Sequence, residues 1–446
     1  IQEARPRRFR PYPQYKESGV EWLRQVPAHW EAKRWRYCCK VAEGLVDPTD
    51  DAYGDRIMIA PNHVESGTGR ILLTETAQEQ GAISGKYIVK PGDLIYSKIR
   101  PALNKVCIAD GDWLCSADMY PVQVTEAMLL PGFLLYSMLS DSFVKLMVDE
   151  SMRVAMPKVN RDKLSACPLL LPPRDEQRAI AAFLDRETAK IDGLVARKER
   201  LIELLQEKRT ALITRTVTRG LDPNVPMKDS GVEWLGEIPA HWEVSRTKRV
   251  ARLESGHTPS RQRPEYWQTC TIPWFGLADV WQIRDGQTEY VVETAEKVSE
   301  LGIAHSSARL LPRGTVLLSR TASVGFSAIM GVDMATTQDF VNWVCGERIR
   351  PEYLLYVFRS MGQEFRRLTM GSTHQTIYMP DAGQFSTPVP TVTEQERIVA
   401  FIRGETAKID ALIAKVREAI DRLKEFRTAL ISAAVTGKID VREEVS

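Results

Sequence analysis

Two stretches of this chain are almost the same. Residues 18–31 read SGVEWLRQVPAHWE and residues 230–243 read SGVEWLGEIPAHWE, identical at 11 of 14 positions. A second pair, FLDRETAKID at 183–192 and FIRGETAKID at 401–410, runs on into RTALI at 209–213 and 427–431, and then into Val217-Thr218 and Val435-Thr436. The two offsets, 212 and 218, differ by six, so the stretches between the anchors differ in length. The chain is therefore two half-chains, each opening on a Trp-rich box and closing on an ETAKID segment. Between the anchors the halves are unlike. Different ligands held in equivalent positions would produce this contrast, and so would drift in a structural spacer.

The repeated ends predict long helices. After Pro172 and Pro173 the prolines stop, and Ala, Leu, Glu, Lys and Arg take over. Steps of four and three pick out Ile180, Leu184, Glu187, Ile191, Leu194, Lys198, Leu201, Leu205, Lys208 and Leu212, seven of ten apolar. The equivalent set is Ile398, Ile402, Glu405, Ile409, Leu412, Val416, Ala419, Leu423, Phe426 and Leu430, nine of ten apolar. A mean spacing near 3.5 residues over four heptads is a coiled-coil pattern. Each run of 33 residues would be about 50 Å long as a helix. Gly220 and Gly437 stand just past the two runs, where helices stop. Each seam needs a partner, and the equivalent surface is the other copy. Antiparallel pairing follows, with an approximate two-fold axis and one globular module at each end.

The middles, 36–168 and 248–388, carry short β-rich runs broken by turn residues: Arg56–Ala60, Tyr87–Lys90, then Pro91-Gly92-Asp93 before Leu94–Ser97. The second middle offers Pro312-Arg313-Gly314 before Thr315–Ser319. Both thus hold a turn, a hydrophobic strand and a polar, basic exit (Ser97–Arg100; Ser319–Thr321). Helical pieces follow at Pro131–Val148 and Pro351–Leu368. The expected class is α+β: two α/β modules separated by two long antiparallel coiled-coil helices.

No catalytic constellation is found. Gly81–Tyr87 is one residue short of a phosphate loop and has Tyr where a metal-holding Ser or Thr is needed. Gly67-Thr-Gly69-Arg70 lacks the third glycine of a dinucleotide fingerprint. Leu171-Pro-Pro-Arg174 lacks both flanks of an amino-methyltransferase motif, and Pro91-Gly-Asp93 with Lys98 lacks a nuclease's second acid. There is no H-E-x-x-H, and the six histidines are scattered. His29 and His241 recur in the Trp boxes, where packing roles are expected. The seven cysteines form no C-x-x-C pair, which favours reduced thiols over disulfides or a zinc ribbon. The N-terminus is rich in Arg and Pro with no apolar stretch behind it, and no run approaches membrane length, so a cytoplasmic protein is expected. A net charge of +2 leaves nucleic-acid binding open, because bases can cluster on one face.

Taken together, the two Trp boxes, the PPRDEQR run at 172–178 with its counterpart TEQER at 393–397, and the ETAKID helices resemble the specificity subunit of Type I restriction-modification systems. SGHTPS at 255–260, PEYW at 264–267 and GST at 371–373 are similar to segments of that family, whereas the first half shows Met152–Asn160 where a Gly-Ser-Thr would stand. The resemblance implies two target-recognition domains, each for one half of an asymmetric bipartite DNA sequence. It also implies two methyltransferase subunits docked on the helical regions, joined by restriction-translocase subunits. S-adenosylmethionine, ATP and magnesium would sit on those partners, with no cofactor, metal or catalytic residue in this chain. The expected domains are 1–173, 174–222, 223–390 and 391–446.

Reading DNA takes phosphate contacts for position and base-edge contacts for sequence. Candidates in the first module are Asn62, His63, Lys98, Arg100, Asn104, Lys105, Lys158, Asn160 and Arg161. In the second they are His257, Thr258, Ser260, Arg261, Gln282, Arg284, Arg320, Thr321, Ser323, Thr373, His374 and Gln375. The exits Ser97–Lys105 and Ser319–Ser323 lead both sets because they leave equivalent strands. Trp22, Trp30, Trp234 and Trp242 read as packing residues, since base readers in two near-identical boxes would specify one half-site twice. Two rival readings are a coiled-coil scaffold without a DNA role and a fragment of a restriction enzyme whose catalytic part lies elsewhere. In the favoured reading the helices act as a ruler, because modules on one face of a duplex sit about 34 Å apart. Inserting four residues between Thr188 and Arg209 should lengthen the spacer and leave both half-sites unchanged. Mapping methylated sites tests this, and altered half-site bases with an unaltered gap would defeat it.

Overall fold

A computed structural model of the chain describes residues 9–20, 23–125, 127–151, 158–369 and 376–445. The chain divides into two compact units, Ile1–Glu199 with Arg417–Ser446, and Arg200–Val416. Two continuous helices, Arg174–Arg219 and Val392–Val435, each contribute one part to either unit.

In the first unit, Tyr15–Val20 and Leu23–Pro27 form a hairpin that carries the Trp box. A four-stranded antiparallel sheet runs Cys39–Val41, Met119–Val124, Leu94–Ser97, Val106–Ile108. A second sheet orders Leu45–Val46, Lys86–Val89, Trp113–Cys115 and Met58–Ile59, the last pair parallel. Ile95, Cys107, Trp113, Cys115 and Met119 pack between them. Burial pushes the Cys107 thiol up to about 12, so it stays protonated and inert. The second unit repeats the plan with different strand counts. Its five-stranded sheet runs Ala251–Ser255, Phe340–Cys345, Val316–Ser319, Ser327–Met330, Tyr290–Val291, beside a three-stranded one of Glu296–Val298, Ile272–Phe275 and Ala335–Thr336.

The predicted turns occupy equivalent places. Gly92 and Gly314 adopt φ of 88° and 86°, a left-handed conformation that glycine tolerates, and each turns the chain into its central strand. Each predicted helical piece is broken in two: Pro131–Leu139 with Asp141–Ser151, and Pro351–Ser360 with Gly362–Thr369.

The Trp boxes have a structural task. Trp30 Nε1 donates to Glu176 Oε1 at 3.1 Å, and His29 Nε2 lies 2.8 Å from Glu176 Oε2. In the second unit Trp242 Nε1 donates to Glu394 at 2.9 Å and His241 lies 3.2 Å from it. Both glutamates sit in the first turn of a long helix, where the helix dipole favours a negative charge. The next residue completes the mount. Gln177 Nε2 donates to the carbonyls of Met128 and Pro172, and its Oε1 accepts from Leu130 N, all at 2.9 Å. Gln395 does the same with Arg348, Pro390 and Arg350. At the far ends Gly220 packs on Trp242 and Gly437 on Trp30.

Within each unit the long helices lie side by side and antiparallel. Asp192 meets Arg427 in the first unit, and Arg209 meets Asp410 in the second. The buried seam differs from the predicted one at every second position. Thr188, Val195, Ile202 and Arg209 turn inward, not Glu187, Leu194, Leu201 and Lys208; Thr406, Ile413, Ile420 and Arg427 do so, not Glu405, Leu412, Ala419 and Phe426. Leu194, Leu412 and Phe426 are exposed. The polar inward members satisfy themselves: Thr188 Oγ1 and Thr406 Oγ1 donate to the carbonyls of Leu184 and Ile402. Among the described residues no helix is long and apolar enough to cross a membrane.

Replacing Gln177 or Gln395 by Leu strands three backbone groups, one of them buried and two half-buried, and urea unfolding should show a loss of about 2–4 kcal/mol. An unchanged midpoint would sink this account of the mount.

Candidate nucleic-acid interface

The two basic strand exits are built alike. After Leu94–Ser97, Lys98 N donates to Asp118 O at 3.0 Å, and Lys98 O accepts from Val159 N at 2.8 Å. After Val316–Ser319, Arg320 N donates to Asp339 O at 2.9 Å, and Arg320 O accepts from Ile377 N at 2.8 Å. Ile99 bridges Lys158, and Thr321 bridges Thr376. Two residues beyond each basic side chain the backbone turns left-handed, with φ 49° at Arg100 and 60° at Ala322. Neither is glycine, and such strained positions cluster at functional sites.

The side chains on this shared frame differ. In the first unit the Lys98 ammonium lies 5.4 Å and the Arg161 guanidinium 5.8 Å from the Tyr120 ring centre. Arg161 also pairs with Glu43 at 2.8 Å. Arg100 and Lys158 are exposed nearby, as is Asn62, while Lys105 reaches the Pro61 carbonyl at 2.6 Å. Other expected DNA contacts also have partners within the chain, Lys98 among them, whose Nζ donates to Ala117 O at 2.5 Å. His63 is buried with its ring 3.4 Å from Glu75, and Asn104 is buried with its amide donating to Met138 O. Asn160 Oδ1 accepts from Lys163 N at 2.8 Å and caps the helix Arg161–Ala166.

In the second unit Arg320 spends its guanidinium on the carbonyls of Gln338 and Ile377, at 2.9 and 3.2 Å. It therefore holds the adjoining segment in place. Thr258 Oγ1 meets Gln338 Oε1. Arg261 lies 3.7 Å over Trp267 and 5.3 Å over Trp274, and pairs with Glu296. Ser260 and His257 lend carbonyls to those same two indoles. A Cβ at Gly256 would meet Thr337 O at 1.9 Å, so only glycine lets this strand pass so closely. Gln282 bonds to Asp279 and Glu293, Arg284 is exposed, and Thr321 O accepts from Ser323 N. Thr373, His374 and Gln375 lie outside the described residues, as does Trp22.

Sequence reasoning missed Tyr120, Gln338, and the Trp267–Trp274 pair under Arg261. Tyr120, Gln338 and Trp274 sit beside a basic residue only after the sheets assemble, and Trp267, though part of the PEYW segment, carries no local sign that Arg261 covers it. It also missed the loop 286–289, gripped from two helices. Arg359 donates to Thr288 O, Tyr356 OH to Glu289 Oε1, and Arg403 to both Glu289 oxygens. Burial pushes the Glu289 carboxyl up, but Arg403 and Tyr356 together overcome it and hold the group below its ordinary value. No cluster of metal-ligating residues occurs among the described residues.

The family described as Type I restriction modification DNA specificity domain matches this chain twice, over residues 27–204 and 239–422. The Type I restriction enzyme EcoDI specificity subunit of Escherichia coli is 32% identical over 241 residues, covering 52% of this chain and 53% of that protein. The chain thus spans about half the length of that relative. A solved chain from work on complex assembly and conformational transition of the type I R-M system superposes with a TM-score of 0.67 at 21% identity, covering 93% of this chain and 99% of that one. The HsdS subunit from Thermoanaerobacter tengcongensis follows at 0.51 and 19% identity, covering 93% and 98%. At these identities the two structures establish likeness of fold.

Ionised Glu289 stabilises the second unit above the ordinary carboxyl value of 4.5, and that contribution disappears as pH falls below it. Glu289→Gln should therefore lower Tm at neutral pH, and the gap to the unsubstituted chain should close as pH falls below 4.5. Thermal unfolding across that range decides it; a gap that stays constant excludes this role for the carboxylate.

Proposed function

We propose that this chain, which belongs to the family of Type I restriction-modification DNA specificity domains, reads a bipartite, asymmetric DNA target with one half-site per recognition module. The matched family is a specificity domain and not a catalytic one, and the chain supplies recognition without chemistry. One observation carries the reading: two strand exits with the same backbone bonds and the same left-handed turn present different side chains. Lys98, Tyr120 and Arg161 stand on one, and Arg320, Gln338 and Thr258 on the other. An equivalent mount with unlike contacts is what two different half-sites demand. Phosphate contacts from Arg100, Lys158 and Arg284 would hold register while neighbouring side chains meet base edges.

The helices, continuous over 46 and 44 residues, or about 65–70 Å each, would set the spacer. Their exposed Leu194, Leu412 and Phe426 offer apolar surface for two methyltransferase subunits, through which restriction-translocase subunits would join. S-adenosylmethionine, ATP and magnesium would reside on those partners and none on this chain. The assembly would work on DNA in the cytoplasm.

Co-expression with its methyltransferase, followed by mapping of modified adenines and a salt titration of DNA binding, tests the proposal. A two-part site is expected, with affinity falling roughly 10³-fold or more between 50 and 200 mM salt as phosphate contacts release counterions. No sequence preference and no salt dependence would leave a scaffold without a DNA role, and the proposal would fall.

A further inference from the structure

The seam between the long helices holds an arginine in each unit where a leucine would pack at less cost. Arg427 is 7% exposed and Arg209 14%. Each forks onto a carboxylate of the opposing helix: Arg427 Nε and Nη2 lie 2.9 and 3.3 Å from the two oxygens of Asp192, and Arg209 Nε lies 3.1 and 3.3 Å from those of Asp410. The remaining donors leave the helices and enter the recognition module. Arg427 donates to Gly67 O at 3.0 Å and Thr68 O at 3.2 Å, and Arg209 to Gly286 O at 2.9 Å. Gly67 and Gly286 share a left-handed backbone, with φ of 71° and 67°. The arginine of each RTALI copy therefore meets the aspartate of the other ETAKID copy, and the repeated segments are the two halves of one clasp made twice.

Ion pairing in a buried seam gains little net stability, because desolvation offsets the attraction. A rigid guanidinium fork does fix direction, and this one joins three bodies: its own helix, the facing helix and a turn of the module. A short path leads from that turn to the basic exit. In the first unit Gly67 N donates to Asn104 O, at the end of the short helix Pro101–Leu103 that begins at Arg100. In the second, the gripped turn runs into Glu289, whose carbonyl accepts from Ile329 N; that strand pairs with Val316–Ser319, which ends at Arg320.

We infer that Arg427 and Arg209 are positioning residues that set the angle of each module's DNA-facing exit on its helical mount, so that each governs the selectivity of its own half-site. The inference rests on the DNA-reading function proposed above. The test is selection from a random duplex library by the full chain with its methyltransferase, comparing the unsubstituted protein with Arg427→Lys and Arg209→Lys. Lysine keeps the charge and loses the fork. Arg427→Lys should reduce base discrimination about tenfold or more at one half-site, as when a base contact is lost, and leave the other intact; Arg209→Lys should do the reverse. Equal loss at both halves, or full discrimination in both variants, overturns the inference. Should Arg427→Lys fail to fold, exchanging the pair (Arg427→Asp with Asp192→Arg) restores the ion pair without the bonds to Gly67 and Thr68. That protein should fold and still misread one half-site, and intact discrimination would overturn the inference. An unsubstituted protein that enriches no two-part sequence refutes the proposed function instead.

Discussion

A helix that starts inside a globular module has unpaired N–H groups at its first turn, and the module must meet them or the helix cannot be mounted. Here Pro173 O accepts from Glu176 N and Gln177 N, Thr391 accepts from Glu394 N and Gln395 N, and two adjacent side chains then tie each helix start to its module. Glu176 and Glu394 bring charge to the helix start and tie down the Trp box, while Gln177 and Gln395 join three backbone groups of the preceding loops. The long helices can act as a shared scaffold only because their beginnings are immobilised in this way. Trp30 and Trp242 of the two boxes, which the sequence marks as packing residues, are consumed by that task.

Much of this was legible in the sequence because repetition needs no knowledge of structure. Both helices, their glycine ends, the Pro-Gly turns and the strands Leu94–Ser97 and Val316–Ser319 follow from local pattern. The frame of the seam did not. An apolar heptad template passes over threonine and arginine, yet Thr188, Thr406, Arg209 and Arg427 face inward because each brings its own hydrogen-bond partner. Hydrophobicity ranks a side chain alone, whereas burial depends on what it meets.

The same limit explains the candidate contacts. Asn62, Asn104 and Asn160 are one residue type in one module, but one is exposed, one is buried against Met138 and one caps a helix. Arginine divides similarly. Arg161, Arg261, Arg403 and Arg427 are committed to carboxylates, while Arg100 and Arg284 have no ion-pair partner among the described residues. A net charge of +2 therefore says little about the field near a duplex, since acids paired internally cancel bases that were never available.

The two units also differ where a shared ancestor would predict likeness. One has two four-stranded sheets and the other five strands beside three, yet Lys98 and Arg320 leave their strands through the same pair of backbone bonds. Backbone hydrogen bonds are indifferent to side-chain identity, so such a frame tolerates replacement of nearly everything it displays. The helix mount and the clasp involve few side chains, all of them at the repeated ends. A chain arranged in this way can exchange what it recognises in one module without disturbing how either module is held, and the unlike middles between near-identical ends follow from that separation.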